Sequence, residues 1–299
     1  MNSRHHEFWP TVAIITAAIM WGLFWIPVRG VVDAGVNALW SGILIFAAGT
    51  VVLLPLVVIR WRSLAKSYKT YLLAGLFSGL AFALYTLAIN MTDVVRAILL
   101  FYLTPLWSTI IGVTVLGEKL TVNRLLALVL AAVGLSTVLG LGYKFPLPDN
   151  LGDWFALLSG FVWSVASTKL FQGDSDFIIE KAFLFVFFAF LSCVVLSWLP
   201  LGVDATPPTW QMVEDAWLSI AILGIMMLPL AFLTIWPCTL LSPARVGMLY
   251  MLDVIVGVAT AAMFANETFG TREVIGTLLI LSAAVVEVSR AAQPYSAKH

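Results

Sequence analysis

The sequence predicts an all-α membrane protein of ten transmembrane helices, arranged as two inverted five-helix repeats. Three observations carry this prediction. Of 299 residues, 61% are hydrophobic and 11% charged, whereas an average soluble domain is roughly 25% charged. Apolar runs long enough to cross ~30 Å of hydrocarbon at ~1.5 Å per residue fill almost the whole chain. A residue pattern in the first half returns in the second at an offset of 149.

The runs fall near residues 8–28, 38–59, 71–91, 97–117, 124–142, 152–171, 181–201, 216–241, 246–265 and 274–290. They read as helices because a backbone in lipid must satisfy its own hydrogen bonds, and because barrel strands would show short alternating segments instead. The first run carries Trp21, ends in Arg29 and has no small-residue cleavage pattern after it, so it reads as a retained span rather than a signal peptide. The loops are too short to hold a second domain.

Orientation follows from the basic residues. With the N-terminus inside, twelve of the sixteen fall on the cytoplasmic side: Arg4, Arg60, Arg62, Lys66, Lys69, Lys119, Arg124, Lys169, Lys181, Arg245, Arg290 and Lys298. Arg29, Arg96, Lys144 and Arg272 remain outside. Both termini are therefore expected in the cytoplasm, with an even number of spans. Sixteen basic residues balance sixteen acidic ones, so no global field favours nucleic acid. Cys193 and Cys238 each lie in an apolar run, without the spacing of a disulfide framework or a metal site, and read as packing residues.

At the offset of 149, Arg96 falls on Arg245, Phe101 on Tyr250, Leu103 on Leu252, Thr104 on Asp253 and Glu118 on Glu267. By the charge count Arg96 opens its span at the outer face and Arg245 at the inner face, as two repeats with an odd number of spans require. The expected division is 1–148 and 149–299. Such halves can expose a midplane site to each side in turn.

Trp21-Gly22-Leu23-Phe24-Trp25, Ala83-Leu84-Tyr85-Thr86-Leu87-Ala88, Pro105 with Leu116-Gly117-Glu118-Lys119-Leu120, and Glu267 together resemble the EamA-like branch of the drug/metabolite transporter superfamily over essentially the whole chain. The resemblance implies a ten-helix inner-membrane carrier of small organic solutes, commonly an exporter, with a cavity lined mainly by spans 1, 3, 4, 6, 8 and 9. The chain departs from the family in span 9, where Asp253-Val254 replaces a frequent Glu-Pro, and this puts the kink of that span in question.

Asp253 is the only acidic residue near the centre of a span. Insertion there costs roughly 2.5–3.5 kcal/mol, so such a residue usually faces a cavity or a partner. It reads as a substrate-amine or proton site, or else as a protonated Asp bonded to a neighbouring helix carbonyl. Trp21, Trp25, Tyr85, Tyr102, Trp163 and Tyr250 are aromatics inside spans that present ring faces and polar tips to a solute, or simply pack. Arg96 and Arg245 read as snorkelling arginines or as gate charges that pair with the opposite half, with Asp93 one turn before Arg96. Glu118 and Glu267 are gating or loop-holding candidates on the resemblance, and Glu287 is expected to pair with Arg290 at an interface. Pro105, Pro229 and Pro237 remove backbone donors and are hinge candidates. Trp9, Trp61, Trp154, Trp198, Trp210 and Trp217 fit an interfacial belt, and Phe183, Phe185, Phe187, Phe188 and Phe190 are expected to face lipid.

His5, His6 and His299 are all terminal, and no HExxH or GxSxG motif occurs. Gly112 to Glu118 has the glycine spacing of a P-loop but lacks its Lys-Ser/Thr. No cofactor, metal or enzyme site is expected, and the partners are a small solute, the lipid bilayer and, through Asp253, protons. The functional expectation is a secondary or facilitative alternating-access carrier of an amino acid or related amine in a bacterial inner membrane. The alternatives are a carrier of a quaternary-ammonium-like cation and, from another class, a non-transporting membrane scaffold or sensor.

Overall fold

A computed structural model describes residues 3–92, 94–138, 148–202, 204–264 and 270–289. Among them the regular structure is helical, in thirteen segments: α1 (Ser3–Leu23), α2 (Trp25–Asp33), α3 (Ala38–Ile59), α4 (Trp61–Met91), α5 (Val94–Phe101), α6 (Thr104–Thr114), α7 (Val122–Val138), α8 (Leu151–Gln172), α9 (Ile178–Ser197), α10 (Trp210–Cys238), α11 (Pro243–Tyr250), α12 (Leu252–Phe264) and α13 (Thr271–Ser289). Asp93, Glu267 and Arg290 lie outside the described residues, as do the side chains of Arg96 and Glu287.

Each expected apolar run falls on one helix or on two in succession. Six segments are by themselves long and apolar enough to cross a membrane: Glu7–Asp33, Leu39–Ile59, Tyr71–Ile89, Leu151–Gln172, Ile178–Ser197 and Trp210–Cys238. Val122–Thr137 and Val274–Val286 are shorter apolar helices. The protein is thus a multi-pass membrane protein. α4 begins ten residues before its apolar run, because Arg62, Lys66 and Lys69 are good helix formers and prolong the helix past the hydrocarbon.

Helix starts follow local chemistry. The Asn37, Asn150 and Thr209 side chains accept from the backbone N–H groups of Trp40, Asp153 and Met212 and so cap α3, α8 and α10. Pro105 and Pro243 stand in the first turns of α6 and α11, where a missing N–H is harmless. Pro105 therefore does not kink a continuous span as expected; it restarts a helix after a break at Tyr102–Leu103. Pro229 and Pro237 lie within the unbroken α10. A proline the spacing argument passed over, Pro27, stands four residues after Leu23, where α1 gives way to α2; it cannot donate to the Leu23 carbonyl and crowds it.

The largest core cluster gathers Ile14, Phe46, Leu84, Trp163, Phe185, Met227 and Leu230 from α1, α3, α4, α8, α9 and α10. Phe183 and Phe185 are buried, and Phe187 and Phe190 pack against this core, so the phenylalanine run does not face lipid as expected. The reason is that α9 packs against α3, α4 and α10. The terminal tryptophans Trp9, Trp61, Trp154, Trp198, Trp210 and Trp217 are exposed. Cys193 and Cys238 are free and buried.

Close packing of α4 on α9 depends on Gly75 and Gly79. A Cβ on Gly79 would lie 2.4 Å from the Ala189 backbone nitrogen, and one on Gly75 would lie 2.6 Å from Leu184 Cβ. Gly79→Val should therefore destabilise the fold by about 1–3 kcal/mol, the range for overpacking, and lower the melting temperature of the purified protein. Gly117 has open space around it and a φ of +67°, so Gly117→Asn, a residue that tolerates that conformation, should melt close to wild type.

Candidate functional site

Two helix breaks organise the centre of the bundle. α5 ends at Phe101 and α6 resumes at Thr104; α11 ends at Tyr250 and α12 resumes at Leu252. The second break forms without a proline, so the Asp253-Val254 departure does not abolish it. Each break is covered by a helix that comes close through a glycine. A Cβ on Gly160 of α8 would lie 2.6 Å from the Phe101 carbonyl oxygen, and one on Gly22 of α1 would lie 2.6 Å from the Asp253 carbonyl oxygen. At the first break the Thr104 hydroxyl donates to the Phe101 carbonyl at 2.5 Å, the group that Pro105 leaves without a helical donor, and the Ser164 hydroxyl of α8 reaches the Thr104 carbonyl at 3.2 Å. Tyr102, Met251 and Val254 pack together with α7 and α13 in a second core cluster.

The breaks open onto a cavity of about 410 Å³, within the ~300–1,000 Å³ range of small-molecule sites. All seven residues expected at a binding site line it: Trp21, Trp25, Tyr85, Tyr102, Trp163, Tyr250 and Asp253. The structure adds Phe24, Phe82 and Phe101 to this aromatic wall, and also Ser41, Gly42, Ile45 and Phe46 of α3. The expected lining by span 8 is corrected, since α3 of span 2 takes its place and α10 contributes no lining residue. α10 acts from behind: its Thr234 hydroxyl accepts from the Trp21 indole at 3.1 Å. Thr260 of α12 accepts likewise from Trp25 at 3.0 Å. Both indoles are thereby held with their ring faces fixed.

Ring contacts run around the wall. Trp21 and Phe82 have centroids 4.8 Å apart, Phe82 and Trp163 5.4 Å, Trp163 and Tyr250 6.1 Å, and Tyr85 and Phe101 4.7 Å. Into this apolar box projects one carboxylate. Asp253 stands in the first turn of α12, where the partial positive charge of a helix N-terminus meets an anion. Its Oδ1 accepts a hydrogen bond from the Tyr102 hydroxyl, which joins the two breaks across the cavity. The Tyr250 hydroxyl is buried beside Thr234 and Trp21.

The cavity reaches from Trp163 and Asp253 toward Val32, Ser41 and Ile89, the end at which α2 finishes and α3 begins. Charges close the other end. Arg245 is not a snorkelling arginine: it is buried, and donates to Glu7 Oε2 at 2.6 Å and to the Thr11 hydroxyl at 2.8 Å, tying α11 to α1. Arg60 donates to Glu180 at 2.8 Å, and the Lys181 ammonium lies 4.1 Å from the Tyr71 ring centroid while donating to the Asp174 carbonyl. Glu118 points away from the cavity and pairs with Arg124 at the start of α7, where it holds the α6–α7 turn. Among the described residues no His/Cys/Asp/Glu cluster could hold a metal ion.

A recurrence not read from the sequence becomes visible in this geometry. Gly22-x-x-Trp25, running from α1 into α2, and Gly160-x-x-Trp163 on α8 each place a close-approach glycine three residues before a cavity tryptophan.

Comparison with known proteins accords with the geometry. The sequence profile of the EamA-like transporter family matches residues 8–140. The chain is 23% identical over 276 residues to an uncharacterized transporter, YoaV, of Bacillus subtilis (strain 168), covering 90% of this chain and 93% of that one. An uncharacterized transporter of Archaeoglobus fulgidus is 30% identical over 154 residues, covering 51% of this chain and 53% of that one. One crystal structure superimposes with a TM-score of 0.72 over 93% of this chain and 95% of its own, at 19% identity, a likeness of fold.

The Arg245 clasp is open to test. Its side chain is 8% exposed and that of Glu7 36%, so removing the carboxylate leaves a nearly buried guanidinium without its counterion. Glu7→Gln should lower stability by about 1–3 kcal/mol, read as a fall in melting temperature, with Glu7→Asp intermediate.

Proposed function

We propose that this chain, whose residues 8–140 match the profile of the EamA-like transporter family, is an alternating-access carrier that binds a small amino-bearing organic solute in the cavity at the helix breaks. It is a membrane transporter; the cavity with Asp253 is the observation that carries the rest of the reading. Ten spans are counted by joining α1 with α2, α5 with α6 and α11 with α12. They divide into two inverted repeats, 1–148 and 149–299.

Packing supports the repeat. α4 lies against α8 and α9, as α10 lies against α1, α2 and α3; α5 and α6 lie against α8, as α11 and α12 lie against α1. The contacts α3·α9, α6·α11 and α7·α13 join helices at matching positions of the two halves. With both termini in the cytoplasm, as the twelve-to-four distribution of basic residues favours, the cavity extends to the external side of a bacterial inner membrane. The Arg245–Glu7, Arg60–Glu180 and Lys181–Tyr71 contacts then form the cytoplasmic gate, each between the two halves. Exchange of solute requires these to part while the opposite end closes. Export or uptake is decided by the gradients, and Asp253 gives protons a place to compete with the solute's ammonium.

The test is counterflow into proteoliposomes with a panel of amino acids and amines. The expected result is saturable exchange in the wild type and at least about a hundredfold loss in Asp253→Asn, the size expected when a buried charge loses its counterion. Protonating Asp253 removes the anion that an ammonium meets, so wild-type exchange should fall as the pH is lowered, and residual exchange by the Asn variant should lose that dependence. A second prediction concerns the gate. A cysteine at Ile45 should react with an impermeant thiol reagent from the external side alone, and additional Arg245→Gln should admit reaction from the cytoplasmic side. Failure of every panel member to move, with capture of a defined partner chain, would instead establish the scaffold reading.

A further inference from the structure

Resting on the reading of this cavity as the solute site, we propose that the solute is an organic amine or quaternary ammonium compound whose only charge is positive, borne on an aromatic or bulky apolar body, and that a carboxylate on the solute disqualifies it. Amino acids are thereby excluded although they carry an ammonium group.

The inference comes from the charge inventory of the wall. Among the described side chains that line the cavity, Asp253 is the single charged group, with no lysine, arginine or histidine to answer a solute carboxylate. Two described arginines that could otherwise serve are engaged elsewhere: Arg245 by Glu7 and Thr11 at the closed end, and Arg124 by Glu118 at the α6–α7 turn. The Tyr102 hydroxyl is already donated to Asp253. A zwitterion would place its ammonium against Asp253 and leave its carboxylate among Trp21, Phe82, Phe101 and Trp163, an uncompensated charge in an apolar wall.

The same wall suits a lone cation. A carboxylate has several acceptor positions, so the Tyr102 hydroxyl leaves room on Asp253 for an ammonium. Indole and phenol faces attract a cation within about 6 Å of the ring centroid, and Trp21 and Trp25 have their N–H groups held by Thr234 and Thr260. The rest of the wall is aliphatic or aromatic apart from the hydroxyls of Ser41, Thr86 and Thr104, which donate to the backbone carbonyls of Asn37, Phe82 and Phe101, and it receives an apolar body.

The experiment compares molecules that differ by a carboxylate alone: tryptamine against tryptophan, and phenethylamine against phenylalanine, with benzyltrimethylammonium as the quaternary probe. Melting temperature of the purified full-length protein reports binding, and proteoliposome counterflow reports transport. The expected result is that the amines and the quaternary probe raise the melting temperature at concentrations at least about tenfold below those of the amino acids, the discrimination a stranded charge imposes. Asp253→Asn should lose that response and Asp253→Glu should keep it. The proposal is overturned if the amino acids bind as well as or better than their amines, if none of the five compounds shifts the melting temperature, or if a monodisperse Asp253→Asn protein responds to amines as the wild type does. Should the Asn variant fail to fold, the wild-type pairs decide alone. Asp253-dependent binding of amines without counterflow would sink the carrier reading and leave the ligand class standing.

Discussion

A backbone that leaves the helical path inside an apolar bundle must be covered by protein, because no water is there to take its hydrogen bonds. That constraint organises this molecule. The interruptions at Tyr102–Leu103 and at Met251 are tolerated because α8 and α1 press against them through Gly160 and Gly22, positions at which any side chain would collide with a carbonyl. Hydroxyls do the remaining work at the first break, where Ser164 reaches Thr104 and also meets Ser108 at 3.1 Å. The interruptions in turn place Tyr102 and Asp253 at the mouths of new helices, opposite one another. The polar centre of the protein thus follows from where its helices stop.

Charge is distributed along the bundle in an equally constrained way. Each buried cation at the closed end has a partner on another helix: Arg245 has Glu7, and Lys181 has the Tyr71 ring and the Asp174 carbonyl. Such contacts hold helices together but are expensive to break singly, since a lone charge is then left out of water. Asp253 is different in kind. Its described partner is a neutral phenol, which leaves its charge to be matched by something that comes from outside.

Much of the architecture was legible from residues. The apolar runs mark the helices because hydropathy over about twenty residues is a property of the chain itself. The seven cavity residues were legible for a related reason: polar or amphipathic groups in an apolar run have few places to go except inward. The readings that fail are those depending on neighbours. The phenylalanines of α9 look lipid-facing by composition, and only its packing against α3, α4 and α10 buries them. Glu118 carries the same charge whether it gates or clasps, and the turn that brings Arg124 to it decides the matter.

By itself, then, the sequence determined that the chain lives in a membrane, which stretches form its apolar helices, that one carboxylate lies among them, and which aromatics accompany that carboxylate. These are local properties, set by the transfer free energy of each side chain. Tertiary structure decided where spans break, that span 2 and not span 8 lines the cavity, that Arg245 is clasped rather than snorkelling, and that the carboxylate shares its wall with no described cation. Those depend on which helices touch, and contacts between apolar helices are chosen by the fit of small residues such as Gly22 and Gly160, a three-dimensional match that no single stretch of chain contains.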